Sequence, residues 1–92
     1  MERMTKYYPE ALALVMEELI SATKVHGPFH SAHEGISVIE EEFIELRDEV
    51  FLKESKRIPE DMIEEAKQLA AMGLRFLIDV ALPFRDKRNA MA

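Results

Sequence analysis

The sequence contains no cysteine and no tryptophan, and it has only three glycines and four prolines among 92 residues. Without cysteine the chain can form no disulfide, no thiolate metal site and no cysteine nucleophile. It has no glycine-rich loop of the kind that cradles phosphates, and no serine–histidine–acid arrangement for nucleophilic catalysis. These absences exclude several common catalytic designs, and the lack of cysteine fits a reducing compartment.

Excess positive charge and long apolar runs are absent too. The net charge of −6 and a pI near 5.0 argue against nucleic acid as a partner, because such binding requires neutralised phosphates. The N-terminal residues lead into tyrosines, not into the apolar core of a signal peptide. The most apolar stretch, residues 70–84, is interrupted by Arg75 and Asp79 and is too short to span a bilayer. We therefore expect a soluble, cytoplasmic protein that binds neither nucleic acid nor membrane.

The length of the chain predicts a single domain covering residues 1–92. A chain this short buries only about 60–65% of the surface of its unfolded state, yet 48% of its residues are hydrophobic. Three helices in a row cannot hide so many apolar side chains alone. We therefore expect a homo-oligomer, either a dimer or a tetramer, in which part of the apolar surface is covered by another copy.

The helical spacing of the apolar residues predicts the first two of three helices. Pro9 opens the first helix, which covers about residues 9–25 and ends before a glycine and a proline. The second helix begins at Ser31, because Ser31 and Glu34 have the spacing of a capping box. In that motif each side chain accepts a hydrogen bond from the other residue's backbone N–H. The second helix continues to about Lys53.

A third helix opens at Pro59, where two acids follow that favour the positive end of a helix dipole. Pro83 is predicted to end this helix, leaving residues 84–92 as a frayed basic tail. The second and third helices each carry an apolar seam with alternating steps of three and four residues. These seams are Ile36, Ile39, Phe43, Leu46 and Val50, and Met62, Ala66, Leu69, Gly73, Phe76 and Val80. We predict an all-α fold, an antiparallel bundle of three main helices that is completed by oligomerisation.

Acidic residues on the second helix form the most informative pattern. Glu42 and Glu45 are three residues apart, so their side chains project from neighbouring turns beside the apolar seam. Like charges at this spacing repel, partial burial adds to the cost, and a bound cation relieves both. Magnesium prefers such hard oxygen ligands. Glu65 and Gln68 have the same spacing on the third helix, so face-to-face packing of the seams would bring Glu65 to the other two glutamates.

A solvated acidic surface is the alternative interpretation of these residues. The chain has 18 acidic residues, and a helix rich in glutamate usually exposes them to water. Spacing alone therefore leaves both the metal site and the solvated face open.

The run Glu41-Glu42-Phe43-Ile44-Glu45 resembles the Glu-Glu-x-x-Glu motif of the MazG-like all-α nucleoside triphosphate pyrophosphohydrolases. The wider resemblance covers about residues 27–80, and its clearest parts are the segments 33–50 and 64–76. It implies a helical oligomer that cleaves a nucleoside triphosphate into a monophosphate and pyrophosphate. It also implies that Mg²⁺ or Mn²⁺ is the cofactor.

The same resemblance implies metal-ligand roles for residues of both motifs. Glu42 and Glu45 match the first pair of ligands, and Glu65 matches the glutamate of a second motif, Glu-x-x-Asp. Gln68 stands where that motif has its aspartate. Gln68 can offer a metal a neutral carbonyl oxygen, but it supplies no charge and cannot act as a base. The resemblance therefore implies either a weakened metal site or the loss of catalysis.

Catalytic and substrate-binding roles are also implied. Glu41 is a candidate base for the attacking water. His30 and His33 are candidates for contacts with the nucleotide, although histidines beside a helix start commonly form local hydrogen bonds. Positive groups that could neutralise the phosphates are Lys24, Lys67 and Arg75. Their alternative role is that of solvated charges on helix surfaces.

Two other kinds of function stay open at this point. Gln68 favours a non-catalytic helical oligomer of the same fold that binds metal or nucleotide. The surplus of apolar residues favours a protein-interaction module, such as a small helical regulator.

Overall fold

The computed structural model describes residues 5–91, and these residues contain helices and no strand. The predicted all-α fold is therefore confirmed. The elements, in chain order, are α1 (Tyr8–Val25), α2 (Ala32–Val50), a 3₁₀ turn (Glu54–Lys56), α3 (Pro59–Phe76), a π-helical segment (Leu77–Ala81) and α4 (Leu82–Met91). No helix within residues 5–91 is both long enough and apolar enough to cross a membrane.

The start of α2 matches the predicted capping box only in part. The Ser31 hydroxyl accepts a hydrogen bond from the Glu34 N–H at 3.0 Å, as that motif requires. The Glu34 carboxylate, however, accepts from the His30 N–H at 2.9 Å, one residue before the cap. Its other oxygen lies 3.4 Å from the His30 ring. The side chains of Ser31 and Glu34 thus each accept a hydrogen bond from a backbone N–H at the start of α2. Glu34 also lies close to the His30 ring.

The central helix of the fold is α3, which packs against both α1 and α2. Gly35, near the start of α2, lies against Phe76 at the end of α3, so these two helices are antiparallel. Glu18 of α1 lies 3.9 Å from Lys67 of α3. Near the end of α3, Arg75 donates to the carbonyl of Gly27, which lies just after the end of α1, so α1 and α3 run in the same direction.

The hydrophobic core is small and lies where the three helices meet the connection between α1 and α2. Its buried apolar members are Ala22, Phe29, Ala71 and Met72. Partly buried residues packed against them are Val15, Leu19, Val38, Ile39, Phe76 and Val80. Because burial of apolar surface is the main favourable term in folding, a core of this size gives the single chain modest stability.

Gly35 lets α2 approach α3 closely. A Cβ atom at this position would lie 2.7 Å from the Phe76 ring and 3.2 Å from the Phe29 ring. We expect Gly35→Ala to lower the free energy of unfolding by about 1–3 kcal/mol, because the two rings must move to make room. Gly73 in α3 has open space around it, so Gly73→Ala is the matched control and should raise stability by about 0.5–1 kcal/mol. Urea denaturation measures the free energy of unfolding of both variants. Equal effects of the two substitutions would contradict the close packing of Gly35 against Phe76.

The apolar seam predicted for α2 is turned towards α3 only in part. Ile36, Phe43 and Val50 are 54%, 52% and 40% exposed, whereas Ile39 packs on the core and Leu46 is half-buried. The whole seam therefore does not pack face to face with α3. Because the helices approach each other through a glycine, the face that carries Gly35 meets α3 instead. This rotation brings the carboxylates of α2 to the boundary with α3.

The prediction that Pro83 ends the third helix is wrong. Pro83 is the second residue of α4, and the chain is helical as far as Met91. Just before the proline, the Leu82 N–H donates to the carbonyl of Leu77, five residues back. Proline lacks an N–H and its ring clashes with the preceding turn of an α-helix. The wider π-helical turn accommodates it, so the helix continues.

Candidate metal centre

Three glutamates meet where α2 and α3 pack together. Glu42, Glu45 and Glu65 each offer a carboxylate oxygen, and these three oxygens lie within 4.8 Å of one another. The antiparallel pairing of α2 with α3 brings Glu65 to the two acids of α2. Glu42 and Glu65 are half-buried, while Glu45 is exposed. The structure thus brings together the three acids whose spacing predicted that they would converge.

The two half-buried glutamates are poorly satisfied as anions. The Oε2 atoms of Glu42 and Glu65 are buried, and neither has a hydrogen-bond partner among the described residues. Burial, followed by repulsion from Glu45, raises the pKa of Glu42 to about 7. Burial also raises the pKa of Glu65, and the neighbouring Glu45 adds to this effect. Buried acceptors without partners are rare in folded proteins. Free carboxylate oxygens on facing helices fit a divalent cation such as Mg²⁺ or Mn²⁺.

The raised pKa of Glu42 predicts how the stability of the metal-free protein depends on pH. Its folded-state pKa of about 7 exceeds the ordinary value of 4.5, so the folded state binds this proton more tightly. The stabilisation is complete below about pH 4.5 and is lost as the pH rises through 7. Glu42→Gln stays neutral, so we expect it to raise the free energy of unfolding at pH 8 by about 1–3 kcal/mol and to change it little at pH 5.

Urea denaturation in the presence of a chelator, at pH 5 and pH 8, measures this difference. The exposed residue Glu17 of α1 provides the control, since Glu17→Gln should change the stability by less than about 0.5 kcal/mol at either pH. An effect of Glu42→Gln that is the same at both values of pH would contradict the raised pKa.

A cavity of about 720 Å³ opens beside the glutamates. This volume is within the range of about 300–1,000 Å³ that is usual for small-molecule sites. Its lining includes acidic and polar residues at one end, namely Glu18, Glu41, Glu42 and Gln68. At the other end it includes the connection between α1 and α2 and nearby residues of α3, among them Pro28, Phe29, His30, Met72 and Arg75. Glu42 belongs both to the cavity wall and to the glutamate cluster, so the two are continuous.

The other residues predicted for the site fall into two groups. Glu41, Gln68 and His30 line the cavity. Lys24 and His33 are exposed and do not line it. A substrate-binding role for Lys24 and His33 therefore stays a prediction. Their position outside the cavity does not favour it.

Gln68 is held by a residue of its own helix. Its side-chain amide Nε2 donates to Glu64 Oε1 at 2.9 Å, and the side chain is partly buried. An amide that donates through its nitrogen keeps its carbonyl oxygen as an acceptor. The neutral oxygen predicted as a metal ligand thus belongs to a side chain whose position is fixed beside the cavity.

Arg75 fastens the connection between α1 and α2. It is only 6% exposed, it donates to the carbonyl of Gly27, and its guanidinium lies 4.5 Å from the centre of the Phe29 ring. Asp79 lies 3.9 Å from Arg75 and accepts the Phe29 N–H at 3.0 Å. Both charged side chains therefore hold the cavity wall in place. The predicted contact of Arg75 with substrate phosphates stays a prediction.

Sequence reasoning missed Glu18. This residue of α1 lines the cavity, and its charge contributes to the raised pKa of Glu42. Lys67 lies 3.9 Å from Glu18 and 3.0 Å from Glu64, so its ion pairs join α1 to α3. No local signal marked Glu18, because it comes near Glu42 only through the packing of α1 on α3.

No family model matches the chain, and no curated protein and no solved structure is significantly similar to it. The fold and the site define an all-α chain with a cluster of three glutamates, one of which lines a cavity of about 720 Å³.

Proposed function

We propose that this protein is a metal-dependent nucleoside triphosphate pyrophosphohydrolase, which converts a ribo- or deoxynucleoside triphosphate into the monophosphate and pyrophosphate. One observation carries the proposal. The carboxylates of Glu42, Glu45 and Glu65 converge beside a cavity large enough for a nucleotide. The resemblance of residues 41–45 to the MazG-like motif supports the same reaction.

The glutamate cluster would hold Mg²⁺ or Mn²⁺, with Glu42, Glu45 and Glu65 as ligands and the carbonyl oxygen of Gln68 as a further, neutral one. When bound, the metal would withdraw negative charge from the phosphates of the substrate. When all three glutamates are deprotonated, the cluster carries three negative charges. Their mutual repulsion favours the binding of a divalent cation.

Glu41 is the residue proposed to accept the proton of the attacking water. It lines the cavity next to Glu42, and its exposure leaves room for a water between it and the substrate. The aromatic and apolar end of the cavity, around Phe29 and His30, would take the base or the sugar. In this arrangement Arg75 acts mainly by keeping Phe29 in position.

A homo-oligomer, a dimer or a tetramer, is part of this proposal. The chain exposes 7382 Å², about a third more than the roughly 5,500 Å² of a compact monomer of its mass. Its radius of gyration of 15.7 Å also exceeds the roughly 12 Å of a compact domain of this length. A cytoplasmic location belongs to the proposal as well and agrees with the absence of cysteine.

Pyrophosphate release from a panel of ribo- and deoxynucleoside triphosphates, with Mg²⁺ or Mn²⁺, tests the proposal. We expect the products to be a monophosphate and pyrophosphate, and the release to stop when the metal is chelated. Glu42→Ala should abolish it. The absence of release from every substrate, with a folded helical protein, would contradict the proposal.

A second candidate, a non-catalytic helical oligomer that binds metal or nucleotide, is favoured by Gln68 alone. The site lacks the aspartate of the second motif, and the amide of Gln68 is bound to Glu64 instead. This candidate predicts that metal or nucleotide raises the melting temperature while no pyrophosphate is released.

A further inference from the structure

One side of α2 exposes a line of residues that neither the glutamate cluster nor the cavity uses. Its apolar members are Ile36, Phe43, Ile44 and Phe51, which are 54%, 52%, 38% and 79% exposed. Its charged members, also exposed, are Glu40 and Arg47. Large apolar side chains in a continuous row are unusual on a monomeric surface and mark sites where another molecule packs.

The order of residues along this line is symmetric. From the start to the end of α2 it reads Ile36, Glu40, Phe43, Ile44, Arg47, Phe51. When the same helix is laid beside it in the opposite direction, Ile36 meets Phe51 and Phe43 meets Ile44. Glu40 then meets Arg47 of the second copy, and Arg47 meets Glu40. Every apolar residue thus faces an apolar residue, and each charge faces its opposite.

A parallel arrangement of the two α2 helices is disfavoured by charge repulsion. If the two helices were parallel about a twofold axis, Glu40 would face Glu40 and Arg47 would face Arg47. Like charges across an interface are destabilising and select against such an arrangement. Among residues 5–91 of one chain, the ion pair that the Arg47 side chain makes is an exposed one, at 3.7 Å, with its neighbour Asp48. Such a surface pair contributes little, so Arg47 is free to change partner.

We propose that two copies of this chain associate through α2, with the two α2 helices antiparallel and the twofold axis between Phe43 and Ile44. A stable interface buries about 800 Å² on each partner. The surplus surface of the chain, about a third above that of a compact monomer, is large enough to provide this area. The pairing rests on the proposed homo-oligomer and is independent of the proposed hydrolase activity.

A charge exchange tests both the interface and its direction. Each of Glu40→Arg and Arg47→Glu alone places two like-charge contacts in the interface, so we expect each to weaken self-association at least tenfold. The double variant restores both ion pairs with their signs reversed, so it should return to within about threefold of the wild type. Sedimentation equilibrium at one fixed, low ionic strength measures all four proteins. Glu60→Arg, at an exposed site on α3, controls for the change in net charge.

A second pair of variants tests the apolar part of the line. Phe43→Glu should give a monomer with an unchanged helical circular dichroism spectrum, because Phe43 is half-exposed in the single chain. Met16→Glu changes an equally exposed residue of α1 and should leave the association intact.

The possible outcomes distinguish three claims: the homo-oligomer, the α2 interface and its antiparallel direction. A wild-type protein that is monomeric at about 100 µM would overturn both the homo-oligomer and this interface. Association that the single charge variants do not weaken, or that Met16→Glu disrupts in place of Phe43→Glu, would overturn the α2 interface and leave the homo-oligomer. A double variant that stays as weak as the single variants would contradict the antiparallel direction.

Discussion

Replacement of Glu65 by glutamine is expected to lower metal-dependent pyrophosphate release at least 100-fold. The substitution keeps the size of the side chain and removes the one charge that α3 contributes to the cluster with Glu42 and Glu45. A metal that loses one of three carboxylate ligands binds more weakly and stabilises less charge on the phosphates. A 100-fold loss corresponds to about 2.7 kcal/mol of activation free energy. The rate is measured as kcat/KM at a fixed concentration of Mg²⁺.

The neighbouring Glu64 provides a matched control. It pairs with Lys67 and Gln68 and lies outside the three-glutamate cluster. Glu64→Gln should therefore keep the rate within about threefold of the wild type. Because burial raises the pKa of Glu65, Glu65→Gln should fold at least as well as the wild type at pH 8 without metal. A Glu65→Gln protein that retains a third or more of the activity would place catalysis elsewhere.

Gln68→Asp is expected to increase both the affinity for Mg²⁺ and the turnover at least tenfold. Residue 68 now offers the proposed metal site a neutral oxygen, and an aspartate there would offer an anionic one. Mg²⁺ prefers charged, hard oxygen ligands. The change also removes the hydrogen bond from the Gln68 amide to Glu64 and adds an acid near others. The metal-free variant should therefore be less stable at pH 8 than the wild type, while added Mg²⁺ should reverse the loss.

The variant Gln68→Asn separates charge from geometry, because it shortens the side chain as aspartate does but stays neutral. We expect Gln68→Asn to have no more activity than the wild type. The dependence of kcat/KM on Mg²⁺ concentration gives the comparison for all three proteins. If the aspartate and asparagine variants behave alike, the missing charge is not what limits this site, and the non-catalytic oligomer becomes the better candidate.

The helices of this protein could be predicted from local signals, but their rotation and one of their ends could not. Pro9, Ser31 and Pro59 each lie at or within one residue of a helix start, because these residues act on the backbone beside them. Pro83 does not end a helix, since a π-helical turn accommodates it. The rotation of α2 follows from the contact of Gly35 with Phe76. That contact joins distant parts of the chain and leaves no pattern in the spacing of apolar residues.

The positions of the site residues, too, could be predicted from the sequence only in part. The spacing of Glu42 and Glu45 indicated that the two acids share one side of α2, but it fitted a solvated acidic face as well as a cluster with Glu65, and the packing of α2 on α3 decides between the two. Glu18 approaches Glu42 only because α1, like α2, packs on α3. The role of Arg75 depends on Gly27, which lies 48 residues away in the sequence. Contacts of this kind come from the tertiary fold and have no local signature.

Binding of Mn²⁺ at pH 8 tests most directly the central claim that Glu42, Glu45 and Glu65 form a divalent metal site. Electron paramagnetic resonance reports the free ion as it is titrated into the protein. We expect saturable binding in the wild type and in Glu64→Gln, and an affinity at least tenfold lower in Glu42→Gln and in Glu65→Gln. Saturable binding that these two substitutions do not weaken, or no binding by the wild type, would contradict a metal site at the three glutamates.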